Sequence, residues 1–563
     1  MTWPEGPLLL LLAPAWPLLL ALLAAHPRVR ARAMVLLPLA PLPALALALV
    51  GTQGQGLYAH DLLLGIVLRL DPIGRVMLGM TALLWSAAGV YALGHMRDSR
   101  HPAIFTGFWC LTLTGNLGVC LAADMVTFYV AFAAVSLAAY FLVVHDGTAE
   151  ALRAGRIYIV LAVLGEACLL AAFLIGASAA ESLRIADIRA ALPGSGQYEV
   201  AMLLLVAGFG LKAGLVPLHV WLPLAHSAAP TPASAVLSGG IVKAGIIGMI
   251  RFLPDTAEGW GTALVALGLF GAYAGALAGL CQRTPKTVLA YSTVSQMSLL
   301  VAAIGAAIAG GGAAGMDAAA FLALHHGLAK GALFLAVGVI AATGRGALVP
   351  VLAVTALVAL SVAGLPLSGG ALAKAAAKPG FEGLALAAMV GSAVTTGLLL
   401  LRFLLLAADR HAETPAARPG LLLVLPWLVL AGAALILPWL LLPDWAGLSR
   451  AYPMQLAPLW DGFWPILLAA LLGLLAMRSG MRAPALPPGD IVLPMEKLAE
   501  AAVARARRAG RRRGPPAVMR WPAAVPGVLA ELSARFEGVL SRWPVAGAAI
   551  LLFALLAFLA GTT

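Results

Sequence analysis

Charge is scarce in this chain of 563 residues: Asp, Glu, Lys and Arg together make 11%, against 62% hydrophobic. A soluble domain carries about 25% charged residues, so a soluble fold is excluded. Cysteine is scarcer still. Cys110, Cys120, Cys168 and Cys281 lie in or at the ends of apolar runs with no CxxC or histidine-rich spacing. That excludes a disulfide framework and a cysteine metal centre and leaves four small buried hydrophobes. A glycine-rich phosphate loop, a flavin or nicotinamide fingerprint and an iron–sulfur ligand run are all missing, so no cofactor, metal or catalytic site is expected. Lysine is the rarest basic residue. Of 36 Lys and Arg only seven are lysine, namely Lys212, Lys243, Lys286, Lys330, Lys374, Lys378 and Lys497, and arginine supplies nearly all the charge between the apolar runs.

Those apolar runs are about 18 to 25 residues long, each enough to cross roughly 30 Å of hydrocarbon. Lipid offers no water to backbone groups, so only helices or a closed barrel can span it, and the lack of strict alternation selects helices. Sixteen spans are expected, at 7–24, 33–50, 73–94, 102–121, 125–144, 157–177, 200–219, 234–253, 260–281, 288–308, 318–343, 349–374, 383–407, 420–442, 462–478 and 544–560. The first begins without a basic segment and reads as a transmembrane helix, not a signal peptide. Connections holding Arg28, Arg30 and Arg32; Arg97 and Arg100; Arg153 and Arg156; Arg283 and Lys286; Arg345; and Arg410 and Arg418 are every second one. The positive-inside rule makes them cytoplasmic and puts both termini on the outer side. The net charge of +12 comes largely from the arginines between Arg505 and Arg542, which points to a membrane surface and not to nucleic acid. There Val528, Leu532, Phe536 and Val539 recur at helical spacing. This segment reads either as an in-plane amphipathic helix or as a plain tether returning the chain to the last span.

Lys212, Lys243, Lys330 and Lys374 fall inside apolar runs, where an ionisable group costs at least about 2.5 to 3.5 kcal/mol. Desolvation can bring a lysine toward neutrality, whereas arginine stays charged in any environment. A buried lysine can therefore load and release a proton, which makes these four candidate carriers. Lys378, near a helix end, reads as a snorkelling or paired charge. His326 lies four residues before Lys330, on the same helix face, within reach to exchange a proton. His219, His226 and His325 are accessory candidates. Proline and glycine mark breaks: Ala213-Gly-Leu-Val-Pro217 follows Lys212, and Gly364-Leu-Pro366-Leu-Ser-Gly-Gly370 precedes Lys374. Broken helices at corresponding places in two halves characterise inverted-repeat transporters. The chain then divides into N-terminal spans (1–101), a first five-helix repeat (102–253), a second (260–407), C-terminal core helices (408–480), a basic cytoplasmic segment (481–543) and a terminal span (544–563).

The stretch Lys212-Ala-Gly-Leu-Val-Pro-Leu-His-Val-Trp-Leu-Pro-Leu-Ala-His226, continuing through Ala229-Pro230 to Ser234-Ala-Val-Leu-Ser-Gly-Gly-Ile-Val-Lys243, closely resembles a known motif. It is the central motif of the proton-translocating subunits shared by respiratory complex I, Mrp-type cation/proton antiporters and membrane-bound hydrogenases. Lys286-Thr-Val-Leu-Ala-Tyr-Ser-Thr-Val-Ser-Gln-Met297, His326-Gly-Leu-Ala-Lys330 and Ala363-Gly-Leu-Pro-Leu-Ser-Gly369 fit the same pattern in order, over roughly residues 60 to 410. The resemblance implies an all-α core of fourteen helices containing two inverted five-helix repeats, with a polar axis through the bilayer middle. It gives Lys212 to the first half-channel, Lys243 and Lys330 with His326 to a central relay, and Lys374 to the exit of the second half. One position departs. The family's fifth-helix glutamate stands nine residues after an aspartate, and counting from Asp124 reaches Ala133. Glu166, deep in the next span, is the candidate substitute, or else a symmetric partner of Lys330.

Three functions stay open on the sequence. The chain moves protons, with or without a coupled cation such as Na+, as one subunit among other membrane subunits of an inner-membrane complex. Alternatively it couples or assembles such a complex with an incomplete channel, for which Ala133 speaks. In the third it is the membrane partner of a solute-uptake system, inorganic carbon being the candidate solute. The four internal lysines favour the first over the second.

Overall fold

The computed structural model describes residues 7–489 except 60–63, 256, 258, 311, 415, 481–482 and 485. The chain divides into a large unit, residues 1–57 and 67–489, and a second of 58–66 and 490–563. Of the second, only 58–59 and 64–66 are described. From residue 490 onward the basic segment and the final span expected at 544–560 lie outside the described residues.

The helices are α1 (Pro7–Ala25), α2 (Leu42–Val50), α3 (Pro72–His95), α4 (Pro102–Leu121), α5 (Met125–Val143), α6 (Ala149–Ala180), α7 (Ile185–Ala191), α8 (Tyr198–Ala213), α9 (Trp221–Ala228) and α10 (Thr231–Val236). They continue as α11 (Lys243–Phe252), α12 (Trp260–Leu280), α13 (Pro285–Gly310), α14 (Ala313–Ala341), α15 (Arg345–Ala363), α16 (Gly369–Ala377), α17 (Gly383–Ala408), α18 (Leu421–Ala446) and α19 (Leu456–Arg478). Fourteen described segments are long and apolar enough to cross a membrane. The span Thr231–Phe252 is buried over all of its most apolar stretch and Ala313–Ala341 over 94%, whereas Leu456–Arg478 is buried over 17%. Helices α10, α11 and α14 therefore form the interior, and the leucine-covered α19 faces lipid or other subunits.

Several expected spans differ from the structure, each for a local reason. The run at 33–50 is not one helix: Arg30–Leu39 is wound as a 3-10 helix and passes to α2 through Pro41, since Pro38, Pro41 and Pro43 have no N–H for a continuous ladder. The run at 157–177 begins earlier, at Ala149, where Thr148 caps the helix by accepting from Ala151 N at 3.1 Å. An apolar window cannot see those first two turns because they carry Glu150, Arg153 and Arg156. The run at 200–219 stops at Ala213, and 349–374 stops at Ala363, with a second helix resuming at Gly369. Gly214 and Gly364 stand at these ends with φ of 76° and 108°, left-handed values that only glycine adopts without strain. The run at 234–253 is α10 and α11 joined by a π turn over Leu237–Ile241. Short strands at Gly56–Ala59 and Ile66–Arg69 and the helix α7 were not foreseen.

Acids near the helix starts are committed to structure. Asp71 accepts from Gly74 N at 2.7 Å and Asp124 from Thr127 N at 2.8 Å, with Val67 N also on Asp124 at 2.8 Å. Arg251, at the end of α11, bonds Asp71 at 2.8 Å and the Cys120 carbonyl at 2.5 Å. These pairs pin one end of α3, α4, α5 and α11 together and leave Asp124 unavailable to the interior.

Close approach of α14 to the π turn depends on two glycines. A Cβ on Gly239 would lie 2.8 Å from the Gly327 carbonyl oxygen and 2.5 Å from Leu84, and one on Gly327 would lie 2.8 Å from the Gly239 carbonyl. Small residues let helix backbones meet inside a membrane. Gly239→Val should therefore lower stability by about 1–3 kcal/mol through overpacking, read as an earlier thermal unfolding transition in detergent. An unchanged transition would show that the turn yields.

Candidate functional site

The two helices interrupted at Gly214 and Gly364 and the π turn each bring a lysine into the interior. Lys212, the last residue but one of α8, is 6% exposed. Its Nζ donates to Ser136 Oγ at 2.7 Å and lies 5.3 Å from the centre of the Phe132 ring. The break beside it is held by α9, whose Trp221 Nε1 donates to the Leu211 carbonyl at 2.8 Å, replacing a helix bond lost there. Glu166 is 7% exposed, with its carboxylate in the neighbourhood of the Ser136 hydroxyl and Lys212 Nζ. Close packing of α6 on α8 sets this up, because a Cβ on Gly165 would lie 3.3 Å from Leu211 and one on Gly208 2.8 Å from the Gly165 carbonyl. Glu166 Oε1 has no hydrogen-bond partner among the described residues. Ala133, where the family resemblance leads one to expect a glutamate, lies one turn before Ser136 on α5.

Lys243 is fully buried and opens α11. Its Nζ donates to the Ser238 carbonyl at 2.7 Å and meets His326 Nδ1 at 2.8 Å. The π turn frees that carbonyl, since a ladder widened to i+5 leaves an acceptor for another donor. The direct partner of His326 is thus Lys243 across the helix interface, not Lys330 on its own helix. Lys330, also fully buried, donates to the Leu289 carbonyl at 2.6 Å. Between the two lysines lie two hydroxyls, Ser238 Oγ and Thr293 Oγ1, 2.7 Å apart, with Thr293 Oγ1 donating to the Leu289 carbonyl at 3.0 Å; each lysine touches this pair only through a backbone carbonyl.

His325, beside His326, faces the other way. Its Nε2 lies 3.0 Å from Ser361 Oγ, which also accepts from Gly370 N at 3.1 Å. Gly370 permits the approach, as a Cβ there would lie 2.8 Å from the His325 ring. Neighbouring histidines on α14 therefore address the two halves, His326 toward Lys243 and His325 toward the start of α16. Lys374 on α16 reaches back to the Ala363 carbonyl at 2.8 Å. It lines a cavity of about 70 Å³ together with Lys378 and Asp461, which form an ion pair. His219 is buried, its ring edge-on to Tyr291 at 5.9 Å, and His226 is fully buried against Phe334.

Sequence reasoning missed Ser136, Ser238, Ser361 and Thr293, the hydroxyls that connect the ionisable groups. For Ser136 a signal existed, a hydroxyl one helical turn after the vacant glutamate position; the others needed the helix breaks in three dimensions.

Residues 122–399 match the family described as NADH:quinone oxidoreductase/Mrp antiporter, transmembrane region. That match takes in just under half of the chain, its membrane core. Among relatives, hydrogenase-4 component B of Escherichia coli (strain K12) is 33% identical over 290 residues, 49% of this chain and 43% of that one. One of the Na(+)/H(+) antiporter proteins of Bacillus subtilis (strain 168) is 29% identical over 344 residues, 55% of this chain and 66% of that one. The chain spans 43% of the length of the first of these relatives and 66% of the second. The solved Mrp complex from Dietzia sp. DQ12-45-1b contains a chain of the same fold, with TM-score 0.77 and 24% identity over 96% of this chain and 63% of that one. The chain is a multi-pass membrane protein, similar over this core to antiporter-like membrane proteins.

Proposed function

We propose that this chain moves protons across the inner membrane as one subunit of a multi-subunit complex, along an axis from Glu166 and Lys212 through Lys243, His326 and Lys330 to Lys374. The observation that carries the reading is the 2.8 Å contact between Lys243 Nζ and His326 Nδ1, both groups buried. An ammonium can donate to that nitrogen, and a neutral amine can accept from it when it bears the proton, so one geometry serves both states. The Ser238 and Thr293 hydroxyls lie between this contact and Lys330, and His325 with Ser361 links it to the helix of Lys374. The axis is divided between residues 102–253 and 260–407, taken as two repeats, and the basic connections on the cytoplasmic side leave both termini outside. His219 plays an accessory part beside Tyr291.

The second reading, a coupling subunit with an incomplete channel, rests on Ala133. The Glu166 carboxylate beside Ser136 and Lys212 supports the first instead, because it supplies the charge that Ala133 does not. Which ion is exchanged for the proton, Na+ or another, is set by the partner subunits.

A double-mutant cycle tests the relay. If Lys243 and His326 act as one unit, His326→Ala in the Lys243→Ala background should cost little beyond Lys243→Ala alone, measured as proton flux in vesicles holding the assembled complex. Losses that simply add would place the two residues on separate paths.

A further inference from the structure

Outside the axis, a cavity of about 820 Å³ opens among the connections that follow α3 and α5 and the start of α13. Its lining is unlike the rest of this apolar chain: His95, His101, His145, Asp98 and Asp146 stand around it, and Lys286 forms its floor. The face is the one that carries Arg97, Arg100, Arg283 and the other basic connections. We infer that this cavity is a proton-gathering mouth, in which imidazoles and carboxylates collect protons from buffer and Lys286 passes them inward. The inference rests on the proton-moving reading of the axis.

Supply is the physical problem such a mouth solves. With free protons near 10⁻⁷ M and a collision limit of about 10¹⁰ M⁻¹s⁻¹, a bare channel receives roughly 10³ protons per second at most, fewer once the opening is narrow. Imidazole titrates near neutrality and takes protons from buffer, which is far more abundant. His145 Nε2 lies 3.0 Å from Ser99 Oγ, and the same hydroxyl accepts from His101 N at 3.4 Å, so two of the imidazole residues are tied to one hydroxyl. Burial lowers the proton affinity of His145, while neighbouring Asp146 opposes that loss.

Inward of Lys286 the contacts are to backbone: its Nζ donates to the Ala229 carbonyl at 2.8 Å, and Ser234 Oγ donates to the same carbonyl at 3.3 Å and to the His226 carbonyl at 3.2 Å, which holds Lys286 beside the turn that carries His226. His226 is wholly buried, yet neither ring nitrogen has a hydrogen-bond partner among the described residues. Leaving a buried polar atom unpaired costs about 1–3 kcal/mol, a cost that calls for an explanation. The His226 ring stacks on Phe334 at 4.6 Å, and Lys330 Nζ lies 5.7 Å from the centre of that same Phe334 ring. An imidazole with both nitrogens open thus stands between the floor of the cavity and the central lysine.

Two measurements on the complex in sealed vesicles test the inference. Wild-type proton flux should depend little on buffer concentration at the basic face. A variant carrying His101→Asn, His145→Gln and Asp146→Asn should lose about tenfold at low buffer and recover when imidazole is added there. Equal flux at low buffer, or a loss that no buffer restores, would overturn the inference. Ser227, an exposed residue of the lining, supplies the second measurement. In otherwise unaltered protein Ser227→Cys should react with a membrane-impermeant maleimide from the basic face, and failure to react until denatured would show a closed cavity and sink the idea. Wild-type complex that moves no protons would sink the reading of the axis and this inference together. Normal flux with unaffected variants sinks the inference alone.

Discussion

Lys212→Arg should reduce proton flux nearly to the background of empty vesicles, almost as completely as Lys212→Ala, while the complex still assembles. The side chain is 6% exposed and its Nζ bonds Ser136 Oγ at 2.7 Å beside Glu166. Arginine fits a fixed-charge role at such a place but keeps its proton in any environment, so it cannot hand one on. If the lysine served only as a counter-charge for Glu166, arginine would support near-normal flux. Native gel mobility of the complex separates loss of transport from loss of assembly. Arginine sustaining flux would move Lys212 from carrier to structural ion pair.

Glu166→Gln should lower flux by at least about tenfold, and Glu166→Asp by much less. A charge within about 4 to 6 Å changes a neighbour's proton occupancy by one to three powers of ten. Glutamine keeps the volume and much of the hydrogen bonding but removes that charge. Aspartate keeps the charge and shortens the reach by one methylene, which a bonded hydroxyl such as Ser136 partly bridges. Equal flux from both variants would mean that the carboxylate at this site fills space only.

The helices and the residues of the axis were legible in sequence to different depths. Apolar length and the placing of arginine located most spans, because lipid makes both obligatory. The breaks beside Lys212 and Lys374 were visible as glycine and proline, but the end of each helix was not. Ala213 and Ala363 close their helices because the next residue takes a left-handed φ, and that choice depends on packing around the break. The pairing of His326 also escaped the linear pattern. Spacing of four residues along α14 suggested Lys330, whereas contact through Gly239 and Gly327 brings Lys243 within 2.8 Å. Helical spacing tells which groups share a face and says nothing of what a neighbouring helix brings to it. For Glu166 the sequence left two partners open, Lys212 and Lys330, and the packing of Gly165 against α8 puts it with Lys212.

The account stands or falls on whether a carboxylate beside Lys212 completes the first half of the path. Ala133 and Ser136 lie one turn apart on α5, and Ser136 Oγ touches Lys212 Nζ, so an acid placed at 133 has the same lysine within reach. The direct measurement is initial proton flux in vesicles for three forms of the complex: wild type, Glu166→Gln, and Glu166→Gln combined with Ala133→Glu. The account predicts that the single variant loses flux and that the combined variant regains a substantial part of it, because the charge beside the lysine matters and its helix of origin does not. Full flux in Glu166→Gln, or no recovery in the combined variant when it assembles normally, would contradict it.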